Sequence, residues 1–175
     1  GDFSHNFVLD SLHNRLEVDQ HKQTVNDLHQ ILQQEELSCS YDLNGNLVRL
    51  GNALTLTYDA LDRLIEVQSG DQITRYHYDS FHRRLRKSTL KDDQYFIYIG
   101  NNEIGSCNTA KHITELRILG LGKGAEIGAA IAYEINNAIY IPIHDAFGNV
   151  IHVLDSQSNS VEQTIYSAFQ EESTT

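Results

Sequence analysis

The chain has 175 residues, 40% of them hydrophobic, with 13 Lys and Arg against 24 Asp and Glu and a formal net charge of −11. That length suits one sizeable domain, and the charge sets a repulsive field against a phosphate backbone, which argues against a nucleic-acid partner. No apolar run approaches the roughly 20 residues of a membrane-spanning helix, and no basic start leads into an apolar signal segment.

In chain order, Leu9-Asp10-Ser11-Leu12-His13-Asn14-Arg15-Leu16 and Val25-Asn26-Asp27-Leu28-His29-Gln30-Ile31-Leu32 open a rhythm. It becomes explicit at Tyr41-Asp42-Leu43-Asn44-Gly45-Asn46-Leu47, Tyr58-Asp59-Ala60-Leu61-Asp62-Arg63-Leu64 and Tyr78-Asp79-Ser80-Phe81-His82-Arg83-Arg84-Leu85. The template is an aromatic residue, Asp, two variable positions, a turn residue, Asn or Arg, and an aliphatic strand. His144-Asp145-Ala146-Phe147-Gly148-Asn149-Val150 is a late copy, and Tyr166-Ser167-Ala168-Phe169 begins a terminal one. Starts at 9, 25, 41, 58 and 78 are spaced by 16, 16, 17 and 20 residues, and 144 and 166 by 22. A fixed period of this kind marks a repeat architecture.

Each period accommodates two strands of about five or six residues and two turns, the geometry of an antiparallel meander. Leu54, Leu56 and Tyr58 alternate with Thr55 and Thr57, as a half-buried strand requires, and 72–78 alternates likewise. Asp42 and Asp59 can accept hydrogen bonds from backbone groups two residues on, and Gly45 and Gly148 can take positive φ. The repeated motif thus rests on Tyr41, Asp42, Gly45, Asn46, Tyr58, Asp59, Arg63, Tyr78, Asp79, Arg84, His144, Asp145, Gly148 and Asn149. Tyrosine rings are expected to stack along one sheet face. Arg15, Arg63 and Arg84 are expected to pair with Asp residues of adjacent turns, and Leu85 to sit amid a solvated face made by Arg83, Arg84, Arg86 and Lys87.

The expected fold is all-β: one domain over 1–175, with repeat units at 9–24, 25–40, 41–57, 58–77 and 78–98. A glycine-rich irregular insertion follows at 99–129, then a hairpin and late repeats at 130–175. In the last part, Asn136-Asn137 is a two-residue hairpin turn, Ile139, Ile141 and Ile143 share a face, and Pro142 marks an edge or strand end. Over 22–37 a helix competes with the strand reading, because Val25, Leu28, Ile31, Leu32 and Glu35 fall at helical spacing.

The chemistry of sites is thinly represented. His5, His13, His21 and His29 recur every eight residues, which does not gather them on one helical face, so a metal centre is not assigned. Asp42-Leu43-Asn44-Gly45-Asn46 has the wrong order for a calcium loop, and Gly120-Leu121-Gly122-Lys123-Gly124 lacks the Ser or Thr of a phosphate cradle. Cys107 has no neighbouring base and reads as a small hydrophobe. Cys39 and Cys107 allow either one disulfide or two free thiols. No catalytic residue, cofactor or metal is therefore assigned, and the chain is not read as an enzyme.

These repeats resemble the YD-repeat, or Rhs-repeat, family, which includes bacterial Rhs proteins, the C components of insecticidal toxin complexes and the teneurin shell of animals. The resemblance is most specific at Tyr41 to Leu47, Tyr58 to Leu64, Tyr78 to Leu85 and Ile141 to Asp155. It implies a β-sheet spiralling into a shell, in many members around a toxic C-terminal region, and a secreted or cell-surface location. Implied partners are flanking segments of a larger parent protein or its toxin cargo. Open sheet edges would allow self-association, and a tyrosine-rich face would suit a glycan or protein ligand. Residue 1 is Gly and Met is absent, which fits a piece of a longer chain. The family's Asp-Pro self-cleavage motif does not carry over, because Pro142 follows Ile141, and Gln170 and His144 depart from the usual Gly and Tyr.

Overall fold

A computed structural model describes residues 6–120 and 130–166, and the backbone of 172–174. The strands are β1 Phe7–Leu9, β2 Arg15–Val18, β3 His21–Val25, β4 Ile31–Gln34, β5 Leu37–Tyr41, β6 Leu47–Leu50, β7 Leu54–Tyr58, β8 Leu64–Ser69 and β9 Gln72–Tyr78. They continue as β10 Arg84–Ser88, β11 Asp93–Ile99, β12 Asn102–Asn108, β13 Ile113–Leu119, β14 Ala130–Ile135, β15 Ala138–His144, β16 Val150–Asp155, β17 Ser160–Tyr166 and β18 Glu172–Thr174. The described residues contain no helix. The 22–37 segment is extended, in β3, β4 and the start of β5, so the repeat register and not the helical spacing governs it.

Contacts divide the chain into two compact units, Gly1–His77 with Ser88–Lys91, and Tyr78–Lys87 with Asp92–Thr175. In the first, β1 to β9 pair with their sequence neighbours, all antiparallel. In the second, β11 to β18 do the same. Each unit is thus a meander of local hairpins, as the alternation and turn spacing require.

The 99–129 stretch is regular where it is described. Residues 102–108 and 113–119 are strands β12 and β13, joined by a turn at 109–112. Gly105 permits the close approach of these strands, since a Cβ there would stand 2.2 Å from the carbonyl oxygen of Glu115. Asn136 and Asn137 have φ of 50° and 67°, the left-handed pair of a type I′ hairpin turn. Pro142 lies inside β15, at a point where the strand is laddered on one side. The ladder with β14 covers Ala138 to Tyr140, so Pro142 falls beyond it and faces only Val153 of β16.

Register separates the two faces of the second unit, because paired residues share a side and neighbours along a strand alternate. One face carries Phe96, Ser106, Glu115, Arg117, Tyr133 and Tyr140. The other carries Ile97, Leu116, Ile118, Ala132, Ile139, Ile141 and Ile143. Polar groups occupy the more covered side. Ser106 is completely buried, where its hydroxyl meets Gln94 Nε2 at 2.9 Å and Thr114 Oγ1 at 3.1 Å. Ile118, Ile139, Ile141 and Ile143 are exposed. Among the described residues Ala130 is the one buried hydrophobic residue, so the strands are held by ladders and turns more than by a packed interior.

Candidate functional site

The repeated turn is the chain's most elaborate local device. An Asp or Asn at its first position accepts, through Oδ1, the backbone N–H groups two and four residues on. Asp10, Asn26, Asp42, Asp59, Asp79, Asp145 and Asp155 make both bonds, at 2.8–3.1 Å. Asn108 makes the second, to His112, at 3.0 Å. The backbone N–H of each of these residues donates to the carbonyl four residues on at 2.9–3.0 Å. Its own carbonyl accepts from the residue three on at 2.9–3.3 Å. Orphaned backbone groups of the chain reversal are thereby satisfied locally.

The second carboxylate oxygen reads the fifth position. Asp10, Asp42, Asp145 and Asp155 accept from the side-chain amides of Asn14, Asn46, Asn149 and Asn159 at 2.8–3.1 Å. Asp59 and Asp79 accept instead from Nε of Arg63 and Arg83, at 2.8 and 2.7 Å. Asn26 reverses the polarity, donating to Gln30 Oε1 at 2.8 Å. Bonds to the ionised form favour it. The side-chain bonds from Asn14, Asn46, Arg63, Asn149 and Asn159 are the largest cause holding Asp10, Asp42, Asp59, Asp145 and Asp155 below the usual carboxylate range. At Asp79 desolvation is the largest single effect and pushes upward, but the bonds from Arg83 and Phe81 outweigh it.

The fourth position is left-handed in every described copy: His13, His29, Gly45, Asp62, His82, Lys111, Gly148 and Ser158 have φ between 58° and 89°. Glycine fills only Gly45 and Gly148 of these, and the remaining copies tolerate a side chain at positive φ because the surrounding bonds overdetermine the turn. Immediately before most copies the ladder shifts register, at Ser40/Tyr41, Thr57/Tyr58, Ser106/Cys107 and Ile143/His144 for example, so the turn is bounded by a bulge.

Neighbouring turns also touch. Asp62 Oδ1 accepts from the side-chain amides of both Asn44 and Asn46 at 2.8 Å, and His29 Nδ1 lies 2.7 Å from Asn14 Oδ1. In both cases the fourth position of one turn meets the fifth position of the turn before it. Tyrosines tie strand to strand in a related way, through Tyr41 to the carbonyl of Ile31 and Tyr166 to that of Val150. Burial is the main reason that the Tyr41 hydroxyl titrates above its ordinary value.

The tips of these turns carry apolar side chains into solvent. Leu28 is 75% exposed, Leu61 58%, Phe81 73% and Phe147 88%, all at the third position of their turns. Leu12 holds the same position and Leu43 the adjoining one, and both are exposed.

Several expected arrangements are corrected. Arg63 pairs within its own turn, its Nη2 standing 2.7 Å from Asp59. In the third full copy the fifth position is Arg83, which bonds Asp79; Arg84 starts the outgoing strand, with its guanidinium 4.3 Å from the Phe96 ring centroid. The solvated face proposed for β10 is inverted, since Leu85 is exposed while Arg84, Arg86 and Lys87 are half-buried. Arg83 lies over the rings of Phe81 and Tyr98, and Arg117 over that of Tyr133. Cys39 and Cys107 are free thiols.

Tyr41, Tyr58, Tyr78 and His144 each directly precede a turn Asp and are half-buried. The turns at Asn108 and Asp155 escape a search keyed to aromatic residues, because Cys107 and Leu154 precede them. The spacing Asp155 to Asn159, identical to Asp42 to Asn46, is the signal that could have found the last one. Among the described residues no group of three or more His, Cys, Asp or Glu converges to hold a metal. His5, residues 121–124 of the glycine run, residues 167–169 and Gln170 lie outside the described residues.

The RHS Repeat family model matches residues 58–93, which include the turns at Asp59 and Asp79. The chain is similar to the tRNA3(Ser)-specific nuclease WapA of Bacillus spizizenii, with 27% identity over 151 residues, covering 83% of this chain and 6% of that protein. It also aligns with a chain of the Photorhabdus luminescens Tc holotoxin pore, at a TM-score of 0.44 and 16% identity, over 87% of this chain and 9% of that one. A TcdB2-TccC3-TEV crystal structure aligns at a TM-score of 0.41 and 12% identity, over 96% of this chain and 13% of that one. This chain therefore spans only a small fraction of each of these three proteins. Residues 58–93 thus resemble an RHS repeat, and turns of the same geometry recur before and after them.

Proposed function

We propose that this chain is a non-catalytic structural segment of a larger secreted or cell-surface protein, in which its β-sheet forms part of a shell that encapsulates or presents a toxin or effector region. The observation that carries this reading is the aliphatic face of the second unit, where Ile118, Ile139, Ile141 and Ile143 are exposed on a sheet with almost no interior of its own. Exposed apolar surface of this extent marks a contact surface. A continuous wall of hairpins with that face toward an enclosed polypeptide would shield both. Flanking repeats of the parent chain would cover the outermost strands, which otherwise present unpaired backbone groups.

The alternative, an adhesion module that stacks a glycan or grips another protein, needs an open aromatic row. Tyr58, Tyr76, Tyr78 and Tyr98 are all half-buried, and the Tyr98 hydroxyl lies 3.0 Å from the Arg84 carbonyl and 3.2 Å from Glu103 Oε2. That arrangement favours the structural reading.

The test is co-expression of this chain, within its repeat-containing parent, with the native downstream region. Co-purification and resistance of the downstream region to protease are expected, and both should weaken when Ile118, Ile139, Ile141 and Ile143 are changed to Ser. Failure of the two to co-purify would count against encapsulation.

A further inference from the structure

We propose that Asn44 is a deamidation site whose reaction is held back by Asp62, reaching across from the next turn. Asn44-Gly45 is the sequence's only Asn-Gly pair. A following glycine leaves the attacking backbone nitrogen unhindered by a Cβ, and both residues are exposed at a turn tip.

The reaction is intramolecular. The backbone nitrogen of Gly45 gives up its proton and attacks Cγ of Asn44. The side-chain amide nitrogen leaves as ammonia, taking up a proton, and a cyclic imide remains. Water then adds to either imide carbonyl, and the ring opens to aspartate at position 44 or to its isomer, in which the backbone runs through the β-carboxyl.

The fold opposes the first step twice. The Gly45 N–H is engaged, donating to the Asp42 carbonyl at 3.1 Å. The Asn44 side chain is drawn away, its Nδ2 donating to Asp62 Oδ1 at 2.8 Å. Cyclisation requires the amide to leave Asp62 and swing toward its own chain while the Gly45 N–H leaves Asp42. The first tie belongs to every copy of the turn, whereas the second depends on Asp62, which also holds Asn46.

Either product destroys the restraint that delayed it. A carboxylate at position 44 would stand where an amide donor now meets Asp62, replacing attraction by like-charge repulsion. The isomer also adds a backbone atom between position 44 and Gly45, which displaces the N–H of Asn46 from Asp42 Oδ1. The bond from position 44 to Asp62, one of the two between the third and fourth turns, thus fails irreversibly once the reaction occurs.

The experiment incubates the purified chain at mildly alkaline pH and follows Asn44 by peptide mapping and enzymatic isoaspartate labelling, beside the same chain unfolded in urea. Asp62→Gly removes the acceptor without strain, because Gly45 and Gly148 hold the equivalent position at φ of 89° and 85°. Asp62→Asn keeps an oxygen acceptor there. Deamidation is expected to be slow in the folded wild type and in Asp62→Asn, and about tenfold faster in Asp62→Gly, as the loss of hydrogen bonds of ordinary strength to a charged group implies. If Asp62→Gly melts near the incubation temperature, Asp62→Ser replaces it, since Ser158 holds the same position at φ 66° and a serine is too short to reach both amides. Equal rates in wild type and the acceptor-less variant overturn the proposal, as does a folded wild type that reacts as fast as the unfolded chain.

Discussion

The phenolic oxygen of Tyr41 lies 2.9 Å from the carbonyl oxygen of Ile31. Tyr41 is the last residue before one turn and Ile31 the first after the preceding turn, so one hydrogen bond measures the width of a repeat. Tyr98 to Arg84 and Tyr166 to Val150 repeat it at 3.0 Å, again reaching the first residue after a turn. The half-buried ring keeps its polar tip bonded to the neighbouring strand, which explains the preference for Tyr over Phe at this place.

Tyr41→Phe should therefore lower the melting temperature through the loss of about 1 kcal/mol of hydrogen bonding, with the fold unchanged. The pH dependence has a defined sign. Burial raises the Tyr41 and Tyr98 hydroxyls above 10.0, so their contribution is present below that value and lost as pH rises through the folded-state values. Thermal melts between neutral and strongly alkaline pH should show an alkaline loss of stability that is smaller in the Tyr41→Phe, Tyr98→Phe double variant. An identical alkaline limb would remove the assignment.

The turn carboxylates act at the other end of the scale. Asp10, Asp42, Asp59, Asp79, Asp145 and Asp155 all titrate below 3.8, so each contributes stability above that pH which is lost as pH falls through its folded value. Acid melts should show this loss. Asp42→Asn is expected to be the milder change, because Asn46 can turn its amide to offer oxygen, as Gln30 does for Asn26, at the loss of its bond to Asp62. Asp59→Asn should be worse at neutral pH, because Arg63 has only donors to present. Comparable melting temperatures for the two variants would contradict this account.

Two glycines separate strain from contact. Gly45→Ala meets no hard clash, its Cβ standing 3.5 Å from Gln30 Nε2, but at φ 89° it should cost about 1–2 kcal/mol. Gly105→Ala has no such φ, yet its Cβ would collide with the backbone of Glu115, so β12 and β13 must part. Chemical denaturation should rank Gly105→Ala as the more damaging of the two.

The apolar tips invite a solution test. Leu28→Asp and Leu61→Asp should leave the melting temperature nearly unchanged, since both side chains are exposed. If the tips mediate self-association, analytical ultracentrifugation should find less of it in the double variant. A large loss of stability would show instead that the tips pack within the fold.

Much of this molecule could be read from residue order. The period of the Tyr-Asp motif identifies a meander, because a bonded turn and a strand of alternating residues each use only near neighbours in the chain. The glycines at 45 and 148 announce their positive φ for the same reason. The turns at Asn108 and Asp155 were hidden because the preceding aromatic is dispensable, while the Asx side chain and the residue four on are what close the turn. The competing helix at 22–37 was a real ambiguity of spacing, settled by pairing with neighbouring strands.

Residue order alone determined that this chain is a series of Asp-closed hairpins, since every bond of the turn spans four residues or fewer. Only the tertiary structure decided what one hairpin does to the next. It set Asp62 against Asn44 and Asn46, and left the isoleucines of β15 on the open side. Those outcomes depend on ladder register and bulges, and a single-residue shift in either sends a side chain to the opposite face.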